Sequence, residues 1–453
     1  MATDDVCFAG AFEQARLIRE RELSAVELIS LTLSEISRRE PSLNAYRVVF
    51  AESAIAAAEA FDAGRHDDRA LPLGGVPIAI KDDTDVAGAV TAWGTDTDLG
   101  ICDSDAEVVM RLRAAGAIII GKTNVPEMTA WPWTSSATWG VTRNPWDHTR
   151  TPGGSSGGSA VAVATGMCGV ALGSDGGGSV RYPAALTGVF GFKPQRDRVP
   201  LSPHDGAWNG LLVYGPISRT VHDAAVFMDA TAGTRLVETI DAPKRALRIA
   251  VACNAPRNSL VRLSNTAREA VDSTAQLLAG LGHTVVEHDV DYGTVMREAT
   301  LRYAEGVRVD VGTRPNPEAL EPSTRRLARM GRVVEKAARR AVSAEPTLAA
   351  RINRVFDTAD VLLTPMAGSP APLADGPLGR GLLWSMRHSN VSAWAVPWNV
   401  IGQPAASVPV GFDADGLPLS VQLCGPRDSE ALILNVSRQV ECAHPWAHQR
   451  PPA

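Results

Sequence analysis

A chain of 453 residues, 45% hydrophobic and 21% charged, is long enough to bury a large core and has the composition of a globular protein. Its 44 basic and 50 acidic residues leave a formal charge of −6, which gives no electrostatic footprint for nucleic acid or an anionic membrane. Six scattered cysteines, with no Cys-x-x-Cys pair, argue against a disulfide or zinc framework and fit a reducing cytoplasm.

The N-terminal MATDDVCFAG has neither the basic stretch nor the apolar run of a signal peptide, and no apolar run reaches membrane-spanning length. Residues 1–70 read as a helical segment. LSAVELISLTLSEISRRE opens with a capping box, Ser24 and Glu27, and then repeats apolar residues at helical spacing. AESAIAAAEAFDAG is a second helix that ends at Gly64. GVPIAIKD (75–82) is a short apolar strand that ends on Lys81. SDAEVVMRLRAAG starts at another expected capping box, Ser104 with Glu107, and leads into the buried strand AIIIGKTN. A helix feeding a buried apolar strand is the α/β pattern.

GGSAVAVATGMCGVALGSD reads as helix then strand. SRTVHDAAVFMDATAG (218–233) is an amphipathic helix on which His222 and Asp223 are surface or packing residues. LRIAVACN, residues 265–281 and HTVVEHDV follow as strand, helix and strand. Residues 292–359 are mostly helical, and the charges of STRRLARMGRVVEKAARRA (323–341) repeat as a solvated helix face. ADVLLTPMA is another buried strand. The loop-rich segment 371–398 carries Trp384, Trp394 and Trp398. AASVPVGF and LPLSVQLCG form a hairpin across DADG, and a last helix starts from Ser429. With no internal repeat and no linker-like stretch, the expectation is one α/β domain over 1–453.

Three stretches carry chemistry. In GSDGGGSVRYPA (173–184), Gly176, Gly177 and Gly178 precede Ser179. Backbone N–H groups with no side chains in the way can converge on one developing oxyanion, and the serine would sit where a nucleophile must. A tight turn is the plain alternative, but a turn needs one glycine rather than three. GGSSGGS (153–159) precedes a helix and reads either as a phosphate cradle or as a strained loop that presents a hydroxyl. It lacks the Gly-Lys-Ser/Thr ending of a P-loop. GSSGG around Ser156 matches a nucleophile elbow, yet it follows a loop and no histidine stands out as its base. Lys81 is either a surface cation or a buried amine, whose lowered pKa would free it to act as a base. The nine histidines are scattered and form no H-E-x-x-H, so neither a metal nor another cofactor is expected.

Together these stretches resemble the amidase signature family. The resemblance runs from GVPIAIKD through GKTNVPEM, GVTRNPWDHTRTPGGSSGGSAVAVATG and ALGSDGGGSVRYPAALTGVFGFKP to GPISRTVHDAA. It returns in WNVIGQPAASVPVGFDADGLPLSVQLCGP and leaves out about 290–360. It implies a central mixed β-sheet covered by α-helices on both faces. Residues 71–235 would carry the catalytic motifs, 290–360 a variable helical insertion, and 360–453 the rest of the sheet.

The resemblance also implies a Ser–cis-Ser–Lys triad, with Ser179 as nucleophile, Ser155 as the bridging serine and Lys81 as base. The cis bond would be Gly154–Ser155. The N–H groups of Gly176, Gly177, Gly178 and Ser179 would form the oxyanion hole, braced by Asp175 and Arg181. In the family the stretch after GKTNVPE lines the acyl pocket. Here that is MTAWPWTSS, with Met128, Trp131 and Trp133. Tyr182 and the tryptophans of 371–398 add aromatic surface, so an apolar or aryl acyl group is expected. The implied reaction hydrolyses a small-molecule amide through an acyl-enzyme to an acid plus ammonia or an amine. Neither nucleic acid nor membrane is expected as a partner, and a homodimer stays open. Two rival readings remain. One is the glutamine amidotransferase A-type subunit, whose turn typically has threonine at the place of Gly176 and glutamine at that of Tyr182. The other is a non-catalytic binder on the same fold.

Overall fold

The structure is a computed structural model describing residues 3–64, 71–96, 99–242, 245–259, 261–375, 380, 384 and 393–452. Most of the expected 371–398 loop segment therefore lies outside the described residues. The strands are β1 (Tyr46–Val49), β2 (Pro77–Lys81), β3 (Ile118–Thr123), β4 (Ser135–Ser136), β5 (Gly140–Val141), β6 (Val170–Asp175) and β7 (Phe190–Lys193). They continue with β8 (Val213–Ser218), β9 (Arg248–Val251), β10 (Thr284–Glu287), β11 (Val361–Pro365), β12 (Ala405–Phe412) and β13 (Pro418–Cys424). β4 and β5 pair on their own. The other eleven make one sheet in the order β1-β3-β2-β6-β8-β7-β12-β13-β11-β9-β10. Parallel pairs β2/β3, β2/β6, β9/β10 and β9/β11 flank an antiparallel middle, so the sheet is mixed.

Both faces are covered, and the strand residues show it directly. Successive side chains of a strand point to opposite faces. Ile78, Ile80, Val170 and Leu172 belong to one apolar cluster, whereas the intervening Ala79 and Ala171 belong to another. Helices Val221–Ala232, Asn265–Gly280 and Glu430–Ala443 cover the first face. On the second face, helices Ala25–Leu43 and Gly157–Ala164 cover the N-terminal half of the sheet. Helices Val295–Gly312 and Pro322–Ser343 cover the C-terminal half. Strands buried on both faces read as continuous apolar runs, which is why GVPIAI and ADVLLTP lack alternation.

Local signals mostly hold. Ser24 caps its helix by accepting from the Glu27 N–H at 3.1 Å, and Glu27 accepts from the Ser24 N–H at 2.9 Å. The hairpin β12/β13 turns over Asp413, whose carboxylate accepts from the N–H groups of Asp415 and Leu417. The Ser104–Glu107 box does not form. That helix spans Glu107–Ala114 with Ala106 as its N-cap. The Ala106 and Glu107 N–H groups instead donate to the carbonyls of Asp85 and Ser202, so tertiary contacts satisfy the donors a cap would take.

The order β3-β2-β6 fixes where a site can lie. The chain leaves β2 for one neighbour, β3, and later returns to its other side as β6. A crevice opens beyond the carboxyl ends of parallel strands at such a switch. Lys81 ends β2 and Asp175 ends β6.

Candidate active site

Lys81 is fully buried. Its Nζ donates to Ser155 Oγ at 2.7 Å and to Ser174 Oγ at 2.6 Å, and it lies 3.2 Å from Asp83 Oδ2. Burial pushes the lysine below its ordinary value; the Asp83 and Asp175 carboxylates push upward and do not prevail.

Ser155 stands just before helix Gly157–Ala164, and the Gly154–Ser155 peptide bond is cis. Thr134 holds this turn from beneath. Its Oγ1 donates to the Gly153 carbonyl at 2.8 Å and accepts from the Gly157 N–H at 3.1 Å. A Cβ on Gly154 would lie 2.6 Å from the Trp133 carbonyl oxygen, so no side chain fits there. Ser156, the elbow candidate, turns inward and donates to the Ser174 carbonyl.

The three glycines after β6 are under different constraints. A Cβ on Gly176 would meet the Trp208 ring at 2.7 Å. Gly178 has φ +118°, which side chains rarely adopt. Gly177 has neither constraint: its nearest neighbour would be Val396 at 3.8 Å, across the open cavity. Asp175 braces the turn by accepting from the N–H groups of Gly178 at 2.7 Å and Val180 at 3.2 Å. The Gly178 N–H is thus already engaged. Those of Gly176, Gly177 and Ser179 have no partner among the described residues. Ser179 is half-buried, and its Oγ also has no partner among them.

Arg181 spends all five N–H groups inside the protein. Nε and Nη2 meet the Asp175 carboxylate at 2.9 Å each, Nη1 meets Gln422 Oε1 at 2.6 Å and the Ala395 carbonyl at 3.0 Å, and Nη2 meets Asn399 Oδ1 at 2.7 Å. Burial alone would raise the Asp175 carboxyl; the Arg181 charge and hydrogen bonds, with Lys193 and Asn399, hold it well below the usual carboxylate range.

Gly154, Gly176, Gly177, Gly178 and Ser179 all face one cavity of about 190 Å³. Trp131, Trp208, Leu211, Tyr303, Leu327 and Met330 make much of its wall, and none of the described lining residues is charged. Trp131 stacks on Trp133 at 5.4 Å, and Trp208 meets Tyr303 edge-on at 5.1 Å. The Tyr303 hydroxyl donates to the Ala130 carbonyl and ties the Val295–Gly312 helix to the loop before Trp131. Two glycines let these helices close in. A Cβ on Gly331 would meet the Ala304 carbonyl oxygen at 2.1 Å, and one on Gly306 the Trp208 Cα at 2.7 Å.

Of the expected pocket residues, only Trp131 lines this cavity. Met128 sits in a turn with φ 55° that carries it into the core, fully buried. Tyr182 packs away from the cavity with Leu186, Met366 and Ala395. Trp384 lies against Trp133, whereas Trp394 and Trp398 are fully buried core residues, so the three form no common wall. His222 pairs with Asp241 at 2.9 Å, and Asp223 caps its own helix. Sequence reasoning misses Ser174, Asp83, Asn399 and Gln422. Gln422 offers a signal, as a lone amide in the apolar strand LPLSVQLCG. It also misses the whole contribution of 292–359.

The family model described as Amidase matches residues 27–434. A Mycobacterium tuberculosis protein whose name, AmiB2, is that of a candidate amidase is 46% identical over 100% of this chain and 99% of its own length. The 6-aminohexanoate-cyclic-dimer hydrolase of Paenarthrobacter ureafaciens is 32% identical over 97% of this chain and 96% of that protein. A solved structure of 6-aminohexanoate cyclic dimer hydrolase complexed with substrate superposes with a TM-score of 0.89 at 29% identity, covering 98% of this chain and 99% of that one.

Proposed function

The chain belongs to the amidase family and is a hydrolase of amide C–N bonds, and from that premise we propose that Ser179, Ser155 and Lys81 carry the reaction on a neutral amide with an apolar or aryl acyl group. The observation that carries this reading is the buried Lys81 amine, 2.7 Å from Ser155 Oγ, behind a cavity floored by Ser179.

Neutral Lys81 takes the proton of Ser155 Oγ as Ser155 takes that of Ser179. Ser179 Oγ then attacks the amide carbonyl carbon. Charge develops on the carbonyl oxygen, where the uncommitted N–H groups of Gly176, Gly177 and Ser179 serve as donors. The Gly178 N–H, bound to Asp175, serves the turn instead. The proton returns along the same path to the leaving nitrogen, the C–N bond breaks, and the amine departs. Water, activated by the same relay, releases the acid from the Ser179 ester. In the resting state the Ser155–Ser179 bond of this relay is not made; such contacts tighten once substrate is bound.

The cavity supports the substrate class. A charged group entering it would lose hydration without meeting a counter-charge on the described lining. The similar hydrolase named for a cyclic dimer agrees, since a ring-closed amide has no free ammonium or carboxylate. The test is hydrolysis of neutral aryl and aliphatic amides, with glutamine alongside, by wild type and Ser179→Ala, with intact-mass detection of an acyl adduct. Turnover of neutral amides and an adduct, lost in the variant by at least about 10⁴-fold, is expected. Turnover that survives Ser179→Ala refutes the nucleophile. Preferred release of ammonia from glutamine favours the amidotransferase instead.

A further inference from the structure

A second hydrogen-bonded branch leaves Lys81, and the mechanism above does not use it. Asp83 follows two residues after the lysine in the turn that closes β2, and only 2% of it is exposed. Its Oδ2 lies 3.2 Å from Lys81 Nζ and accepts from Ser174 Oγ at 2.6 Å, while Ser174 Oγ accepts from Lys81 Nζ at 2.6 Å. The three groups close a triangle. Asp83 Oδ1 accepts from Thr84 Oγ1 at 3.1 Å, so both carboxylate oxygens are held. The amine therefore sits between two hydroxyls, Ser155 toward the nucleophile and Ser174 toward a carboxylate.

A base needs to be neutral before the reaction and cationic during it. Burial serves the first need, because a low-polarity site disfavours the ammonium. It opposes the second, because the ammonium appears as the serine proton arrives. A fixed carboxylate beside the amine serves that second need. We propose that Asp83 is a positioning residue for Lys81: clamped by Ser174, it stabilises the ammonium that Lys81 becomes, and so sets the pH at which the enzyme turns on. The inference rests on the reading of Lys81 as the base. Among the described residues, other titratable groups near the pair are Asp175 at the end of β6, Asp310 on the Val295–Gly312 helix, the Tyr214 phenol on β8, and the adjacent Asp82, which pairs with Lys122 and Arg47. These carboxylates do not replace Asp83, since Asp175 is engaged by Arg181 and Asp310 by the Trp208 indole.

The sign is fixed. A nearby opposite charge favours the ammonium, so Lys81 becomes free as base only at higher pH while Asp83 is present. Removing the charge moves the acid limb of the rate profile to lower pH. A fluorophosphonate reads this without knowledge of the substrate: Ser179 Oγ bonds to phosphorus, fluoride leaves, and the serine proton passes through Ser155 to Lys81. The experiment follows labelling rate against pH by intact mass for wild type, Asp83→Asn, Asp83→Ser, Asp83→Glu and Lys81→Met. A neutral variant should shift the limb down by about one unit or more, and Asp83→Glu should keep it near wild type. A limb that stays in place or moves up in the neutral variants overturns the proposal. Failure of both neutral variants to fold overturns it too, since the carboxylate is then structural. Unchanged labelling in Lys81→Met, or no labelling of wild type at any pH, would instead defeat the triad reading.

Discussion

Asp175→Ala isolates what the buried ion pair contributes. The carboxylate takes five hydrogen bonds: Arg181 Nη2, Gly178 N and Asn399 Nδ2 at Oδ1, and Arg181 Nε and Val180 N at Oδ2. Both partners of the pair are fully buried. After truncation the guanidinium keeps only neutral acceptors. Breaking a buried pair on one side costs about 3–5 kcal/mol. Urea unfolding followed by tryptophan fluorescence should show a loss of that size. Asp175→Ala with Arg181→Met should be less destabilised than the two single losses summed, with about 2 kcal/mol or more of coupling, because the double variant strands no charge. The pH dependence has a defined sign. The folded carboxyl lies below its unfolded value, so its stabilisation is present above about pH 4 and is lost as pH falls toward the folded value. The single variant should lack that acid-labile component. A single loss under about 1 kcal/mol, or strict additivity in the double variant, would refute the argument.

The glycine turn gives a graded series. Gly177→Ala points its methyl at open cavity and should fold within about 1 kcal/mol of wild type. Gly178→Ala must hold φ +118° and should cost about 1–2 kcal/mol or more, and Gly176→Ala presses on Trp208 and should cost about 1–3 kcal/mol. Equal urea midpoints across the three would contradict the separate roles assigned to these positions. Leu327→Trp fills the cavity from the Pro322–Ser343 helix. It should raise KM for a bulky aryl amide at least about tenfold over that for a small aliphatic one, on the scale of a lost pocket contact. Equal effects on both would mean that this helix does not border the bound acyl group.

The stretches that hold the triad candidates stand out because their composition conflicts with ordinary structure, whereas the choice of Ser155 over Ser156 and the three roles come from the resemblance to the amidase signature family. Glycine runs and a lysine closing an apolar strand need a reason, and the sequence shows that need even though the reasons, Trp208 against Gly176 and Ser155 and Ser174 against Lys81, lie far along the chain. The cavity wall is not legible in this way. Periodicity shows that the Pro322–Ser343 helix has an apolar face, but Leu327 faces the cavity while Gly331 closes on the neighbouring helix. Which neighbour an apolar face meets depends on the sheet order, and that order comes from pairings between strands far apart in the chain. Met128 and Tyr182 mislead for a related reason. Nearness in sequence to Trp131 or Arg181 fixes the position of a backbone, not the direction of a side chain. A left-handed turn at Met128 and the start of a helix at Tyr182 rotate both away from the cavity. Asp83 is missed for a different reason: nothing in Lys-Asp-Asp tells which of two adjacent carboxylates meets which cation. Here Asp82 is taken up by Lys122 and Arg47, at 2.9 and 2.6 Å, which leaves Asp83 to meet Lys81 and Ser174. A buried carboxylate has meaning only through its partners, and those partners come from β1, β3 and β6, which only the folded sheet brings to the end of β2.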